Sequence, residues 1–184
     1  MTSAPEERVS QGSVPFALGG TPDLRPKVVI GIDPGATAGS ITAMDIEMLG
    51  VKASGVLPVA TSDLVEKMKT YKEHFNVVMV FLEQVRGYVP KDQPMSMHSI
   101  SRLCRHAGVI EGIVTALGMP FQEYAPTSWH RKLNLPKGGN YKERKTAIYT
   151  MVRQRYPNEV SRSRCDSIAI ALAGIYKLRG KPIQ

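Results

Sequence analysis

Lys27 is followed by Val28-Val29-Ile30-Gly31-Ile32, a run without a polar side chain, and then by Asp33-Pro34-Gly35. A run this apolar and this rich in β-branched residues predicts a strand covered on both faces. Pro-Gly then turns the chain sharply. Ser40-Ile41-Thr42-Ala43-Met44 leaves that turn with strand character, so the two runs read as a hairpin. A carboxylate delivered to the exposed end of a central strand suits a metal or a phosphate group. Asp-Pro-Gly is also ordinary turn chemistry, in which Asp33 would only nucleate the bend. The rest of the chain has to decide between the two.

Gly50 to Leu57 extends the hairpin to a third strand, and Thr61-Ser62-Asp63 starts a helix carrying Leu64, Val65, Met68 and Tyr71 at helical spacing. Asn76 ends it. Val77 to Leu82 is a second continuous apolar run of strand length, and it too ends on an acid, Glu83. Gln84 to Pro94 is a polar loop with Arg86, Tyr88 and Lys91. From Ser96 the pattern is helical, with Met97, Ile100, Leu103, Cys104, Ala107, Ile110, Val114 and Leu117 on one side. Gly108 and Gly112 weaken that helix by up to ~1 kcal/mol each, which predicts close packing against its backbone by the sheet, a partner helix or DNA, the sheet being the first choice.

Met119 to Tyr124 reads as a short strand, and Pro126-Thr127-Ser128 as the cap of a short helix holding Trp129. A helix follows from Tyr141 to Tyr156. The last helix begins near Ser163 and carries Asp166, Ile168, Leu172, Ile175 and Tyr176. Ser163-Arg164-Cys165-Asp166 matches a capping box, a purely structural role for Asp166. Strand-strand-strand-helix-strand-helix-strand, closed by helices, predicts an α/β domain in which an antiparallel meander is extended by parallel strands. Residues 1–26 lack periodicity and read as a flexible N-terminal extension, 27–180 as the domain, and 181–184 as a tail.

The formal net charge is +8, and it is concentrated. Between Arg131 and Arg155 stand Arg131, Lys132, Lys137, Lys142, Arg144, Lys145, Arg153 and Arg155 against one acid, Glu143. Such a run is usually a solvated face. Beside the glycine loop Pro136-Lys137-Gly138-Gly139-Asn140 it reads as a surface for a polyanion, nucleic acid first. Cys104 and Cys165 occupy unrelated contexts and predict reduced thiols in a cytoplasmic protein. Neither Cys/His spacing for zinc nor an apolar run of membrane length is present. His74, His98, His106 and His130 are scattered and default to surface or helix packing.

Asp33, Glu83 and Asp166 arise on separate elements. Carboxylates drawn together repel unless a cation lies between them. Mg²⁺, with Mn²⁺ as substitute, is the hard cation such oxygens select. Two such ions ~4 Å apart activate water against a phosphodiester.

These residues also carry a resemblance. Gly31-Ile32-Asp33-Pro34-Gly35, the strand ending Glu83-Gln84, and the Cys165-Asp166-Ser167-Ile168-Ala169-Ile170-Ala171 helix together resemble the RuvC-type Holliday junction resolvases, closest to their phage and prophage branch. The resemblance covers Val28 to Gly180. It implies a ribonuclease H-like fold, with a central mixed five-stranded sheet flanked by helices. It implies a homodimer that cuts four-way DNA junctions with two Mg²⁺ ions, in recombination and repair, associated with the nucleoid when bound to DNA. Asp33 would bridge the metals, Glu83 would hold one, Asp166 would complete the site, and the Ser96 to Leu117 helix would lie near the dimer interface.

In the family a fourth ligand precedes the last acid by a helical turn. Here that position is Ser163, a poor ligand, so either water or Glu159 would complete the shell, or activity would be weak. The aromatic that follows Glu-Gln in the family is replaced by Arg86, with Tyr88 nearest. Lys137 and Lys142 are the counterparts expected for the family's catalytic lysines. Arg86, Tyr88, Lys137, Lys142, Arg144 and Lys145 are the expected DNA contacts. Competing readings are a branched-DNA or RNA–DNA-hybrid nuclease of the same fold, a non-catalytic junction-binding module, and an actin-type ATPase. The last requires a second phosphate-binding domain, for which this chain is too short.

Overall fold

The computed structural model describes residues 23–35, 39–85, 95–136, 140–159 and 161–180. Arg86, Tyr88, Lys137 and residues 1–22 of the extension lie outside them. Five strands form one sheet: β1 (Lys27–Asp33), β2 (Ser40–Asp45), β3 (Val51–Val56), β4 (Asn76–Glu83) and β5 (Phe121–Tyr124). Their spatial order is β3-β2-β1-β4-β5. The β1–β2 and β2–β3 pairs are antiparallel, while β1–β4 and β4–β5 are parallel. This is the predicted meander with its parallel extension. The helices are α1 (Thr61–His74), α2 (Met97–Ala116), α3 (Pro126–Lys132), α4 (Tyr141–Arg155) and α5 (Cys165–Leu178).

The apolar runs are continuous because helices cover both faces of the sheet. Side chains alternate along a strand. Val28, Ile30 and Ile32 therefore join the core beneath α1 and α2, where Leu64, Met68, Ile110 and Val114 are buried. Val29 joins the opposite core with α3, α4 and α5. On β4, Val80 and Leu82 face α1 and α2, and Phe81 faces α5. By the same alternation Asp33 and Glu83 fall on the α5 face.

The seat of α5 depends on two glycines. A methyl group at Gly31 would overlap the Ser167 carbonyl oxygen and the Ala171 amide nitrogen, so helix backbone lies directly on β1. A methyl group at Gly174 would run into the Phe81 ring on β4. Ser167 Oγ pairs with Thr42 Oγ1 at 2.8 Å, a buried hydroxyl contact that fixes the helix against β2. The first turn of α5 is thereby held beside the end of β1.

Several expectations are corrected. Gly108 and Gly112 are exposed and a methyl at either meets nothing within 4 Å, so no described residue packs closely there. Met97 is 77% exposed and Cys104 is also exposed; His106 is the buried polar residue of α2 instead. A 3-10 turn, Arg162–Arg164, precedes α5, whose N-cap Arg164 makes no side-chain cap bond. The capping box at Ser163 is therefore absent, because Ser163 Oγ pairs with Ser161 Oγ at 2.7 Å. The N-cap of α3 is Ala125, with Pro126 in the first turn.

Opposite signs are expected for two alanine substitutions measured by denaturant unfolding. Gly31→Ala forces α5 off the sheet and destabilises by about 1–3 kcal/mol. Gly108→Ala fills open space in an exposed helix and stabilises by about 0.5–1 kcal/mol.

Candidate active site

Beyond the paired residues Ile32 and Leu82, β1 and β4 deliver Asp33 and Glu83 side by side at the carboxyl edge of the sheet. Asp166 enters from the first turn of α5, where the helix dipole favours an acid. It is only 6% exposed. Burial pushes Asp33 up to about 6, and the Asp166 charge adds to it against Lys145 and the Gly35 amide. Burial pushes Glu83 up to about 8, with Asp33 and Asp166 adding to it against Lys145 and Trp129. Asp166 is thus close enough to oppose the ionisation of Asp33 and Glu83, and Asp33 that of Glu83.

Among the described residues, Lys145 is the cation bonded to them. Lys145 Nζ donates to Asp166 Oδ2 from the second turn of α4. Burial works against the ammonium, but Asp166 and Asp33 outweigh it and hold it above its ordinary range. Its helix starts on a capping box, in which Asn140 Oδ1 accepts from the Glu143 amide at 3.0 Å and Glu143 Oε2 accepts from the Asn140 amide at 3.1 Å. The lone acid of the basic region is spent on that cap.

Each remaining carboxylate has a fixed partner. Trp129 is fully buried, and its indole N–H donates to Glu83 Oε1 at 3.3 Å. The Gly35 amide faces Asp33 Oδ1 at 3.4 Å. His106 holds the turn itself: its Nδ1 lies 2.6 Å from the Pro34 carbonyl oxygen and 3.0 Å from that of Gly35, and its Nε2 lies 3.3 Å from that of Pro58. Carbonyls only accept, so the ring is a donor clamp tying α2 to the turn behind Asp33. His130 packs edge-on against Trp129, with ring centroids 3.9 Å apart. Burial lowers its pKa, the Asp166 charge opposing and Arg144 and Lys145 assisting.

Asp166 Oδ1 is buried and has no hydrogen-bond partner. A buried carboxylate oxygen left this way is costly unless a cation or water takes it. Together with Asp33 and Glu83 it offers the hard oxygen donors that Mg²⁺ selects. Among the described residues no three His, Cys, Asp or Glu side chains are spaced to hold a metal ion as they stand. The Lys145 ammonium holds the other oxygen of Asp166. The chemistry of this donor set, three carboxylates with one buried oxygen unpartnered, is the kind that would suit a divalent ion.

The structure therefore brings Asp33, Glu83, Asp166 and Lys145 together. Ser163 is exposed and turned to Ser161, and neither it nor Glu159 forms a described hydrogen bond with the three acids. Lys142 is exposed on α4, and among the described residues Lys145, three residues further on, is the lysine that reaches the acids; Lys137 lies outside them. Arg144 is half-buried close enough for its charge to act on His130. Trp129, His106 and His130 were missed as site residues. A chain with one tryptophan, placed just after a strand, carries a signal: a buried indole N–H needs an acceptor.

His106→Leu, which lacks a donor, is expected to weaken Mn²⁺ binding about 10-fold or more by calorimetric titration. His106→Gln, whose amide has two N–H groups, should recover most of that affinity. Loss of stability in both variants with unchanged Mn²⁺ affinity would reduce His106 to a packing residue.

No protein-family model and no curated protein sequence matches this chain. Solved structures do. RuvC of Thermus thermophilus in complex with a Holliday junction substrate superposes with a TM-score of 0.60 at 19% identity, covering 85% of this chain and 99% of that one. A second structure of Thermus thermophilus RuvC gives 0.59 at 20% identity over the same shares. The yeast mitochondrial Holliday junction resolvase Ydc2 gives 0.52 at 14% identity, covering 82% of this chain and 78% of that one. The chain has the ribonuclease H-like fold of the RuvC-type Holliday junction resolvases.

Proposed function

We propose that this protein is a Mg²⁺-dependent, structure-selective DNA endonuclease that cuts four-way junctions. The observation that carries the reading is the meeting of Asp33, Glu83 and Asp166, with Asp166 Oδ1 buried and unpartnered. The nearest cations belong to a basic surface suited to the phosphates of DNA. Solved structures of the same fold are Holliday junction resolvases, one of them bound to its junction.

Asp33, Glu83 and Asp166 Oδ1 would hold the divalent ions. Bound there, such ions polarise the scissile phosphate and activate a water. The protein's residues do the remaining work. Trp129 fixes the rotamer of Glu83, and His106 fixes the turn that presents Asp33. Lys145 neutralises Asp166 before substrate arrives; its ammonium can then turn to a phosphate oxygen as a charge-assisted donor. Lys142 and Arg144 extend the positive field along α4. Cutting both strands of a junction symmetrically requires two such sites, hence a homodimer.

The expected outcome with labelled DNA is symmetric nicking of a four-way junction in Mg²⁺ or Mn²⁺. Linear duplex and RNA–DNA hybrid should stay intact, and EDTA should stop the reaction. Asp33→Asn should lower the rate at least ~100-fold while leaving junction affinity in place. Tight junction binding without cutting in either metal would instead make the protein a junction-binding module.

A further inference from the structure

Past Glu83, β4 and β5 run on together for one residue and open a cleft outside the carboxylate site. The Gln84 amide donates to the Tyr124 carbonyl oxygen at 3.1 Å, which carries the ladder beyond the acid. Gln84 Nε2 then reaches Glu123 Oε2 at 3.4 Å. The cleft has a volume of about 460 Å³ and is lined by Gln84, Glu123 and Tyr124 from the strands, Arg131 and Lys132 from α3, and Lys177 from α5.

Its walls differ in chemistry. Arg131, Lys132 and Lys177 form no ion pair with a described acid. Lys177 instead stands over the rings of Tyr124, 5.0 Å from the centroid, and Phe81, 5.7 Å away. Aromatic faces orient an ammonium while leaving its N–H donors free for an anion. The opposite wall presents the Gln84 amide and the Glu123 carboxylate, a donor–acceptor edge of the kind that reads a nucleobase. The volume lies within the ~300–1,000 Å³ of small-ligand sites. Tyr124, which lines the cleft, pairs directly with Glu83 across β4 and β5 and lies on the same face of the sheet, so an occupant of the cleft adjoins the carboxylates.

We infer that this cleft binds one unpaired nucleotide of the cut strand, next to the scissile phosphate. Arg131, Lys132 and Lys177 take its phosphate, and Gln84 with Glu123 faces its base. Glu123 accepts from an exocyclic amino group, so cytosine or adenine is preferred to thymine, which has none. This inference rests on the nuclease reading for the position of the cut, but the cleft itself binds a short single strand whether or not cleavage occurs.

The test uses the full chain carrying Asp33→Asn, with four-nucleotide single strands that differ at one base, followed by fluorescence anisotropy in Ca²⁺-free buffer. Arg131→Ala with Lys132→Ala is expected to weaken binding about 10-fold or more at low salt and to flatten the salt dependence by one to two in log–log slope. Arg131→Lys, which keeps the charge, should recover part of this and guards against a folding defect. Glu123→Gln should cut the preference for cytosine over thymine by about 5-fold or more. Unchanged affinity and salt slope in the double alanine variant, or a base preference untouched by Glu123→Gln, overturns the cleft assignment. An acidic peptide that displaces the oligonucleotide and binds more tightly overturns it in favour of a protein partner. If the oligonucleotide binds as described but no junction is ever cut, the nuclease reading fails and the cleft stands.

Discussion

Helix α5 rests on β1 with backbone against backbone at Gly31, and that contact sets where every acid of the site can be. Two parallel neighbours, β1 and β4, end in carboxylates that alternation turns toward α5. With no side chain between helix and strand, the first turn of α5 comes down on the same spot and adds Asp166. Three acids then share a largely desolvated pocket, an arrangement that opposes folding unless a positive charge joins it. Lys145 supplies one such charge, and Asp166 Oδ1 is left for another. The energetic strain of the pocket is what the proposed divalent ion would relieve.

Much of this was legible from the chain. The apolar runs before Asp33 and Glu83 had to be central strands because no polar residue interrupted them, and a strand has only one way to end at the carboxyl edge. Asp166 was ambiguous: its spacing from Ser163 fitted a cap, and only the 3-10 turn at Arg162–Arg164 shows that the cap does not form. Periodicity also placed α2 correctly but could not fix its rotation. His106, rather than Cys104 or Met97, points inward, where its Nδ1 meets the backbone carbonyls of the Pro34 turn. The glycines of α2 do not pack against the sheet: a methyl at either would meet open space within this chain. Lys145 could not be told from Lys142 by charge; it lies one turn deeper along α4, where it reaches Asp166, while Lys142 stays exposed at the start of the helix.

The basic residues divide by what surrounds them. Lys145 belongs to the carboxylates. Lys142 sits on the outer face of α4, while Arg131, Lys132 and Lys177 ring the cleft at the ends of β4 and β5. Glu143, the acid that would have neutralised part of this surface, is held by Asn140 at the start of α4. A polyanion approaching this edge of the sheet therefore meets positive charge on both sides of the acids. The proposed cut would fall between them, with Trp129 and His106 keeping Glu83 and Asp33 in place from behind.

The central claim is that the three acids are held against their mutual repulsion and await a divalent cation. Thermal melting of the metal-free protein against pH tests it most directly. Asp33 and Glu83 are raised in the folded chain to about 6 and about 8, so the folded state keeps protons that the unfolded chain releases near pH 4. Their contribution is fully present below about pH 4 and is lost as pH rises through 6 and then 8. The melting temperature should fall by on the order of 5–10 °C between pH 5 and pH 8.5, and Glu83→Gln should remove much of that fall. Millimolar Mg²⁺ at pH 8.5 should restore most of it in the unaltered protein. A melting temperature that is flat or rising over this range, and indifferent to Mg²⁺, would contradict the account.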